Sequence, residues 1–240
     1  MEFQTSESIK TIQTNAGRVE ISSGKTLTIT NGGTFGLAAE VVGGTVSVTG
    51  GTLNFASTQA ANTSAVLVGS AATLKGTGTI GGSATISGVH APGNSIGIQT
   101  IEGGVTYNAD SVFEWEMNYA GSTRGTNYDA VNTASVSGSG AEFNIVLPGS
   151  TTFADTFWAQ NRSWSDIFMN VAGDAVIANW AGVFSSLTFS NANGSITAPD
   201  AITQGSFTLS GNTLSWQAIP EPTTALAGLL LAAGLLRRRR

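Results

Sequence analysis

The chain has 240 residues, no cysteine, a single histidine and a formal net charge of −5. These counts exclude a disulfide scaffold, a thiolate zinc site, a cysteine nucleophile and a cluster of histidine metal ligands. Four of the ten basic residues form a terminal run, so the rest of the chain is acidic and predicts no nucleic acid partner. That run consists of Arg237, Arg238, Arg239 and Arg240.

The N-terminal segment, residues 1–15, has neither the basic region nor the apolar core of a signal peptide, and we expect it to be disordered or truncated. Residues 16–110 follow a different pattern, in which apolar and small polar residues alternate with period two between glycine- and asparagine-rich turns. Six segments carry this alternation: 18–21, 26–29, 45–48, 52–55, 65–68 and 83–86.

A loose repeat of roughly 20 residues recurs in the same region, as expected when short strands stack coil upon coil. We therefore predict an all-β chain in which residues 16–110 form a right-handed parallel β-helix, or solenoid. An antiparallel β-sandwich remains the alternative, because it also uses short alternating strands.

Residues 111–218 contain longer and heavier segments, which predict a β-rich cap or second subdomain that closes the solenoid. Strand alternation is clearest at 112–117, 142–147, 183–189 and 206–216, whereas residues 155–170 predict irregular or helical structure.

The C-terminal segment, residues 219–240, has three parts in order: Pro220-Glu221-Pro222, an apolar stretch at 223–236 and the arginine cluster at 237–240. As a helix the apolar stretch spans roughly 21 Å, short of a hydrocarbon core of roughly 30 Å, but arginine side chains extend the effective span. By the positive-inside rule the arginines stay cytoplasmic and stop the chain at the membrane. We expect a single transmembrane helix that holds the body outside the inner membrane. The predicted membrane-stop cluster is Arg237, Arg238, Arg239 and Arg240.

Two resemblances add to this interpretation. Residues 73–147, with LKGTGTIGGSATISGVHAPGNSIGIQTIEGGVTYNADSVFEWEM and its APGNS turn at 91–95, resemble exported passenger regions with autotransporter-associated β-strand repeats, and NYDAV at 127–131 resembles the start of the strand pair that follows. The tail IPEPTTALAGLLLAAGLLRRRR resembles a PEP-CTERM sorting signal. That resemblance implies export, processing at Pro220, Glu221 and Pro222 by an exosortase, and a place at the cell surface or in the extracellular matrix.

The candidate chemical sites are few. Glu114 and Glu116 lie two apart on one predicted strand and therefore share a face, while Phe113, Trp115 and Met117 share the other. Paired carboxylates suit general acid/base hydrolysis of glycosides. We favour a solvated outer face of an edge strand instead, because the sequence assembles no basic or aromatic platform around them.

Other candidates favour structural roles. We expect His90 in a surface turn rather than in a catalytic or metal site. The oxygens of Asn108, Asp110, Asn127 and Asp129 are weak candidates for calcium, because no calcium-loop motif is present. Three large side chains suited to stacking on sugars are expected to fill the core instead: Trp158, Trp164 and Trp180.

The sequence thus predicts an exported, non-enzymatic surface or matrix protein with no cofactor and no metal, whose partners are an exosortase, transiently the inner membrane, and extracellular polysaccharide. The alternative is a β-helix carbohydrate-active enzyme, a hydrolase or lyase that acts on exopolysaccharide through Glu114 and Glu116. The missing signal peptide supports a third hypothesis, a cytosolic protein with a fortuitous apolar tail.

Overall fold

The computed structural model describes residues 65–148 except 81, 94, 119 and 120, residues 156–191 and residues 204–219, together with Phe153, residues 5–6 and short strand segments before residue 65. Among the described residues, no helix has the length and apolar character needed to cross a bilayer.

The C-terminal expectations fall beyond this part of the chain. The sorting motif of Pro220, Glu221 and Pro222 and the apolar stretch at 223–236 lie outside the described residues. The same holds for all four members of the membrane-stop cluster: Arg237, Arg238, Arg239 and Arg240. The transmembrane helix and the sorting signal therefore stay predictions.

Most of the described residues lie in β-strands, and the described part of the chain has a single short 3₁₀ helix at Trp180–Val183. The strands, in chain order, are β1 Glu2–Phe3, β2 Glu7–Ile9, β3 Ile12–Thr14, β4 Glu20–Ile21, β5 Thr26–Ile29, β6 Gly33–Phe35, β7 Ala39–Val41, β8 Thr45–Val48, β9 Thr52–Phe55, β10 Ala65–Val68, β11 Thr73–Gly76, β12 Thr79–Ile80, β13 Ser83–Ile86, β14 Val89–Pro92, β15 Ile98–Tyr107, β16 Val112–Glu116, β17 Ala130–Gly138, β18 Ala141–Leu147, β19 Arg162–Trp164, β20 Phe168–Met169, β21 Phe184–Asn191, β22 Gly205–Ser210 and β23 Thr213–Ala218.

One parallel sheet has the order β2-β5-β8-β11-β14-β16-β18-β21. Up to β14 its neighbours are three strands apart in the chain, so each neighbouring pair is separated by two strands that belong elsewhere. Thr73 of β11 pairs with Val89 of β14, and Val112 of β16 pairs with Glu142 of β18. The sheet therefore grows by one strand each time the chain returns to the same face.

The second parallel sheet has two arms that meet at the ten-residue strand β15. The first half of β15 pairs with β12, where Ile80 faces Ile101, and its second half pairs with β13, where Ala84 faces Val105. One arm continues as β12-β9-β6-β3 and the other as β13-β10-β7, while β17 covers both halves of β15. The described strands therefore repeat along three lines, one in the first sheet and two in the second.

In β11 to β14, β16 and β18, alternate side chains are buried in a shared core, because successive residues of a strand face opposite sides. In-register pairing then places equivalent residues of neighbouring strands above one another. His90 pairs with Phe113, and Phe113 pairs with Phe143, with ring centroids 5.5 and 5.3 Å apart. These distances are close to the roughly 4.8 Å spacing between strands, so the core contains a column of rings parallel to the direction in which the strands stack.

Strands β1 and β4 form a separate two-stranded parallel sheet. An antiparallel sheet, ordered β19-β23-β22, packs on the core with aromatic side chains. Phe207 of β22 contacts Phe189 of β21 at 5.4 Å, and Trp164 of β19 contacts Trp115 at the same centroid distance. Trp216 of β23 donates its indole N–H to the carbonyl oxygen of Trp158 at 2.8 Å. The described part of the segment predicted to be irregular or helical consists of turns with β19 and β20.

These observations decide the coarse fold. The all-β prediction is confirmed, and the pairing between strands before residue 110 is parallel, which is not the arrangement of an antiparallel sandwich. Strands β16, β17, β18 and β21 lie in the same parallel sheets as earlier strands, so the predicted division at residue 111 does not coincide with a change of sheet. Strands β1, β2 and β3 fall within residues 1–15, for which the sequence predicted disorder or truncation.

Candidate functional site

The strongest candidate site is a depression of about 100 Å³ on the outer face of the first parallel sheet. Its lining includes Lys75 of β11, Ala91 of β14 and Glu114 of β16, three strands that are neighbours in the sheet. Lys75 pairs with Ala91, and the register that pairs His90 with Phe113 puts Ala91 beside Glu114. A methyl group therefore lies between an ammonium and a carboxylate.

Glu114 is the carboxylate that faces this depression most freely. It is half-buried, and burial raises the pKa of its carboxyl group above the ordinary value; the positive charge of Lys75 opposes the rise, and the negative charge of Glu116 adds to it. Within the described part of the chain, Glu114 makes no hydrogen bond and no ion pair with Lys75. Two opposite charges thus face the same space without touching.

Glu116 borders the same depression but already has a partner. The hydroxyl of Ser95 donates a hydrogen bond to Glu116 Oε1 at 2.9 Å. Ser95 belongs to the APGNS turn and has a φ of 89°, while Gly93 in the same turn has a φ of 99°. A Cβ at Gly93 would clash with the carbonyl oxygen of Ser95 and lie 2.8 Å from Asp129 Oδ1, so only glycine fits there.

Asp129 closes the inner end of the site and is 2 % exposed. Its Oδ1 accepts the backbone N–H of Gly97 at 2.8 Å and its Oδ2 accepts that of Glu116 at 2.9 Å. Burial raises the pKa of Asp129 to about 8, although the two N–H groups favour the ionised form; the charges of Glu116 and Glu114 add to the rise. Asp129 therefore connects Gly97, the residue before β15, to β16, and each of its oxygens has a donor.

The prediction that His90 lies in a surface turn is wrong. This residue is fully buried within β14. Its Nδ1 lies 2.6 Å from the hydroxyl of Tyr107 and its Nε2 lies 2.8 Å from Gln99 Oε1. The carbonyl of Gln99 requires a donor, so Nε2 carries the proton and Nδ1 accepts from Tyr107. Burial lowers the pKa of His90 to about 4, and the hydrogen bond to Gln99 opposes this.

The prediction of which side chains of β16 face inward and which face outward is confirmed. Phe113 and Trp115 are fully buried, whereas Glu114 and Glu116 face outward and are half-buried. The prediction of an edge strand is wrong, because β16 lies between β14 and β18. Glu114 therefore has a strand on each side, and Lys75 lies two strands away on the side of β14.

The remaining candidates do not join the site. Trp158, Trp164 and Trp180 are all buried, as expected of core residues. Asn108 donates its amide to Ser87 Oγ at 2.8 Å, and Asn127 donates its amide to Asn118 Oδ1 at 3.1 Å. Among the described residues, no three His, Cys, Asp or Glu side chains are grouped closely enough to hold a metal ion.

Sequence reasoning missed the proximity of Lys75 and Asp129 to the glutamate pair. Lys75 follows the inward-facing Leu74, and Glu114 follows the inward-facing Phe113, so both occupy the same position within their strands. An alignment of successive repeats on their inward residues would have placed them on one outer row. Comparison with protein-family models finds no family that matches the chain, and comparison with curated protein sequences finds no significant match.

Proposed function

We propose that the chain is an exported, non-enzymatic protein of the cell surface or extracellular matrix, built around a right-handed parallel β-helix. The observation that supports this most directly is the pairing of strands three apart in the chain along three parallel lines. A chain that winds in coils with three strands each would pair every strand with the strand three positions further along. Each coil would bury its apolar row against the next, which is how solenoids gain stability.

The outward positions support an architectural role. Along β11, β12 and β13 they carry mainly small polar side chains, with one charge: Thr73, Lys75, Thr79, Ser83 and Thr85. A surface of this kind offers many hydroxyl groups and little net charge. It suits repeated weak contacts with polysaccharide or with neighbouring molecules in a matrix.

The proposed route to the surface rests on the sequence of the tail. Pro220-Glu221-Pro222 would remain extended at the outer side of the inner membrane, since proline prevents helix continuation. The apolar stretch 223–236 would cross the membrane, and the arginine cluster at 237–240 would hold its cytoplasmic end. An exosortase would then process the chain near the proline motif.

The test asks whether the tail is removed from the chain. The chain is expressed from its own genomic locus in cells with and without the exosortase. Intact mass and fractionation report whether the tail is lost and where the protein resides. Processing is expected only in cells with the enzyme and is expected to fail when Pro220, Glu221 and Pro222 are all replaced by alanine. The matched control replaces Thr223 and Thr224 by alanine. Tail-bearing protein in the cytosol of enzyme-containing cells would contradict the proposal.

A second candidate function is hydrolysis of a glycoside by Glu114 and Glu116, and one observation favours it. Burial raises the pKa of Glu114, as a general acid requires, and Glu116 lies on the same face. The release of reducing ends from exopolysaccharide measures this activity. The leading proposal predicts no release by the parent chain. Release that is lost in Glu114→Gln and retained in the exposed control Glu102→Gln would favour the enzyme.

A further inference from the structure

The depression between Lys75 and Glu114 has a volume of about 100 Å³. These residues lie on strands separated by β14, so two strand spacings, about 9.6 Å, separate their backbones. Between them, Ala91 contributes only a methyl group to the floor. With only a methyl group on the floor, one sugar ring can lie over Ala91 with its hydroxyl groups toward Lys75 and Glu114.

The polar groups that face the gap have unused hydrogen-bonding capacity. In the described part of the chain, neither the ammonium of Lys75 nor the carboxylate of Glu114 donates or accepts a hydrogen bond, although both side chains are half-buried. By contrast, Glu116 is bound by Ser95, and Asp129 is bound by two backbone N–H groups. The free groups are therefore a donor on one side and an acceptor on the other.

A free donor opposite a free acceptor favours one class of ligand. An anion would be attracted by Lys75 but repelled by Glu114 and Glu116, and a cation would meet the ammonium of Lys75 beside a single free carboxylate. A hydroxyl group both donates and accepts hydrogen bonds without charge. Vicinal hydroxyl groups on one ring can therefore accept from Lys75 and donate to Glu114 at the same time.

We propose that the depression over Ala91 binds one ring of a neutral polysaccharide, held between Lys75 and Glu114. This inference deepens the proposed function by naming a ligand class. It rests on that function only in one respect: the protein must be exported to encounter extracellular polysaccharide. Binding requires no turnover, because the site holds the ring through hydroxyl groups and leaves the glycosidic bonds intact.

The experiment measures binding to the purified full-length chain in a polyoxyethylene detergent, which has no sugar head group. The probes are cellohexaose, maltohexaose and mannohexaose, each titrated by calorimetry up to about 1 mM ligand. We expect at least one to bind. Glu114→Gln keeps the shape of the side chain and Lys75→Gln shortens it; both replace a charge-assisted hydrogen bond by a neutral one, and each is expected to weaken binding at least about tenfold, or about 1.4 kcal/mol.

An occlusion variant tests the position of the site. Ala91→Phe is expected to abolish binding, whereas the matched control Thr85→Phe, an outward position on the other parallel sheet, is expected to bind as the parent does. Tryptophan emission verifies folding, and if Ala91→Phe does not fold, the two glutamine variants decide. Failure of all three probes to bind, or binding by both glutamine variants equal to that of the parent, would overturn the inference. Because the assay uses purified protein, tail processing has no influence on its outcome.

Discussion

Replacement of Asp129 by asparagine should remove a pH dependence of stability that the parent chain shows between pH 6.5 and 8. Burial gives Asp129 a pKa of about 8 in the folded chain, against an ordinary value of 3.8. Between these values the folded state binds a proton that the unfolded state has released, so the free energy of unfolding falls as pH rises. His90 has the opposite effect below its ordinary value of 6.5, because its folded pKa is about 4.

The two effects oppose each other up to about pH 6.5, and only that of Asp129 continues to about pH 8. Over these roughly 1.5 pH units, at about 1.36 kcal/mol each, the parent should lose about 2 kcal/mol. The raised pKa of Glu114 has the same sign, and for this reason the comparison with Asp129→Asn is needed. In that variant an amide NH₂ faces a backbone N–H, so we expect it to be less stable at pH 6.5 by about 1–3 kcal/mol.

Guanidinium unfolding at four pH values between 6.5 and 8, followed by the emission of the buried tryptophans, measures the effect. Asp110→Asn is the matched control, because Asp110 is exposed and has a φ of 64°, which asparagine also adopts. The control should keep the slope of the parent. A parent whose stability stays constant or increases from pH 6.5 to 8, or an Asp129→Asn variant that keeps the full slope, would refute the reasoning.

Three further predictions concern His90, Phe113 and Gly138. In the Asp129→Asn background, stability should fall by about 3 kcal/mol from pH 6.5 to 4, and the further change His90→Leu should remove this fall in the same unfolding assay. Phe113→Ala should cost about 3–5 kcal/mol, with a smaller loss for Phe113→Leu; similar losses for both would argue against tight packing in the ring column. Gly138→Ala should lower thermal stability markedly, because Gly138 has a φ of 119° and a Cβ there would clash with the carbonyl oxygen of Tyr107. Gly182→Ala, with open space around the new methyl group, should leave it nearly unchanged.

The sequence predicted local structure well because alternation is a local property. The segments 26–29, 45–48, 52–55, 65–68 and 83–86 are strands with the same bounds in the structure. The inward direction of Phe113 and Trp115 followed from the same period of two. The repeat of roughly 20 residues predicts parallel pairing in the same region, since it has the length expected of one solenoid coil.

Properties that depend on pairing across the sheet could not be predicted in this way. Pro92 and Gly93, which follow His90, indicate a turn, yet in-register pairing with Phe113 places His90 in the core. The role of Asp129 depends on N–H groups that are 13 and 32 residues away in the chain. Such contacts are set by which strands become neighbours, and no local pattern records that choice.

The in-register pairing also bears on how molecules of this kind change in evolution. Connections of different length join strands that pair with each other: β11 ends at Gly76 and its partner β14 begins at Val89, whereas β18 ends at Leu147 and its partner β21 begins only at Phe184. The connections between strands therefore tolerate insertions, whereas the paired strands do not. Duplication of an internal unit would lengthen the molecule without redesign of its neighbours, provided that the aromatic antiparallel sheet is retained. Length in such a lineage becomes a property that selection can adjust separately from the fold.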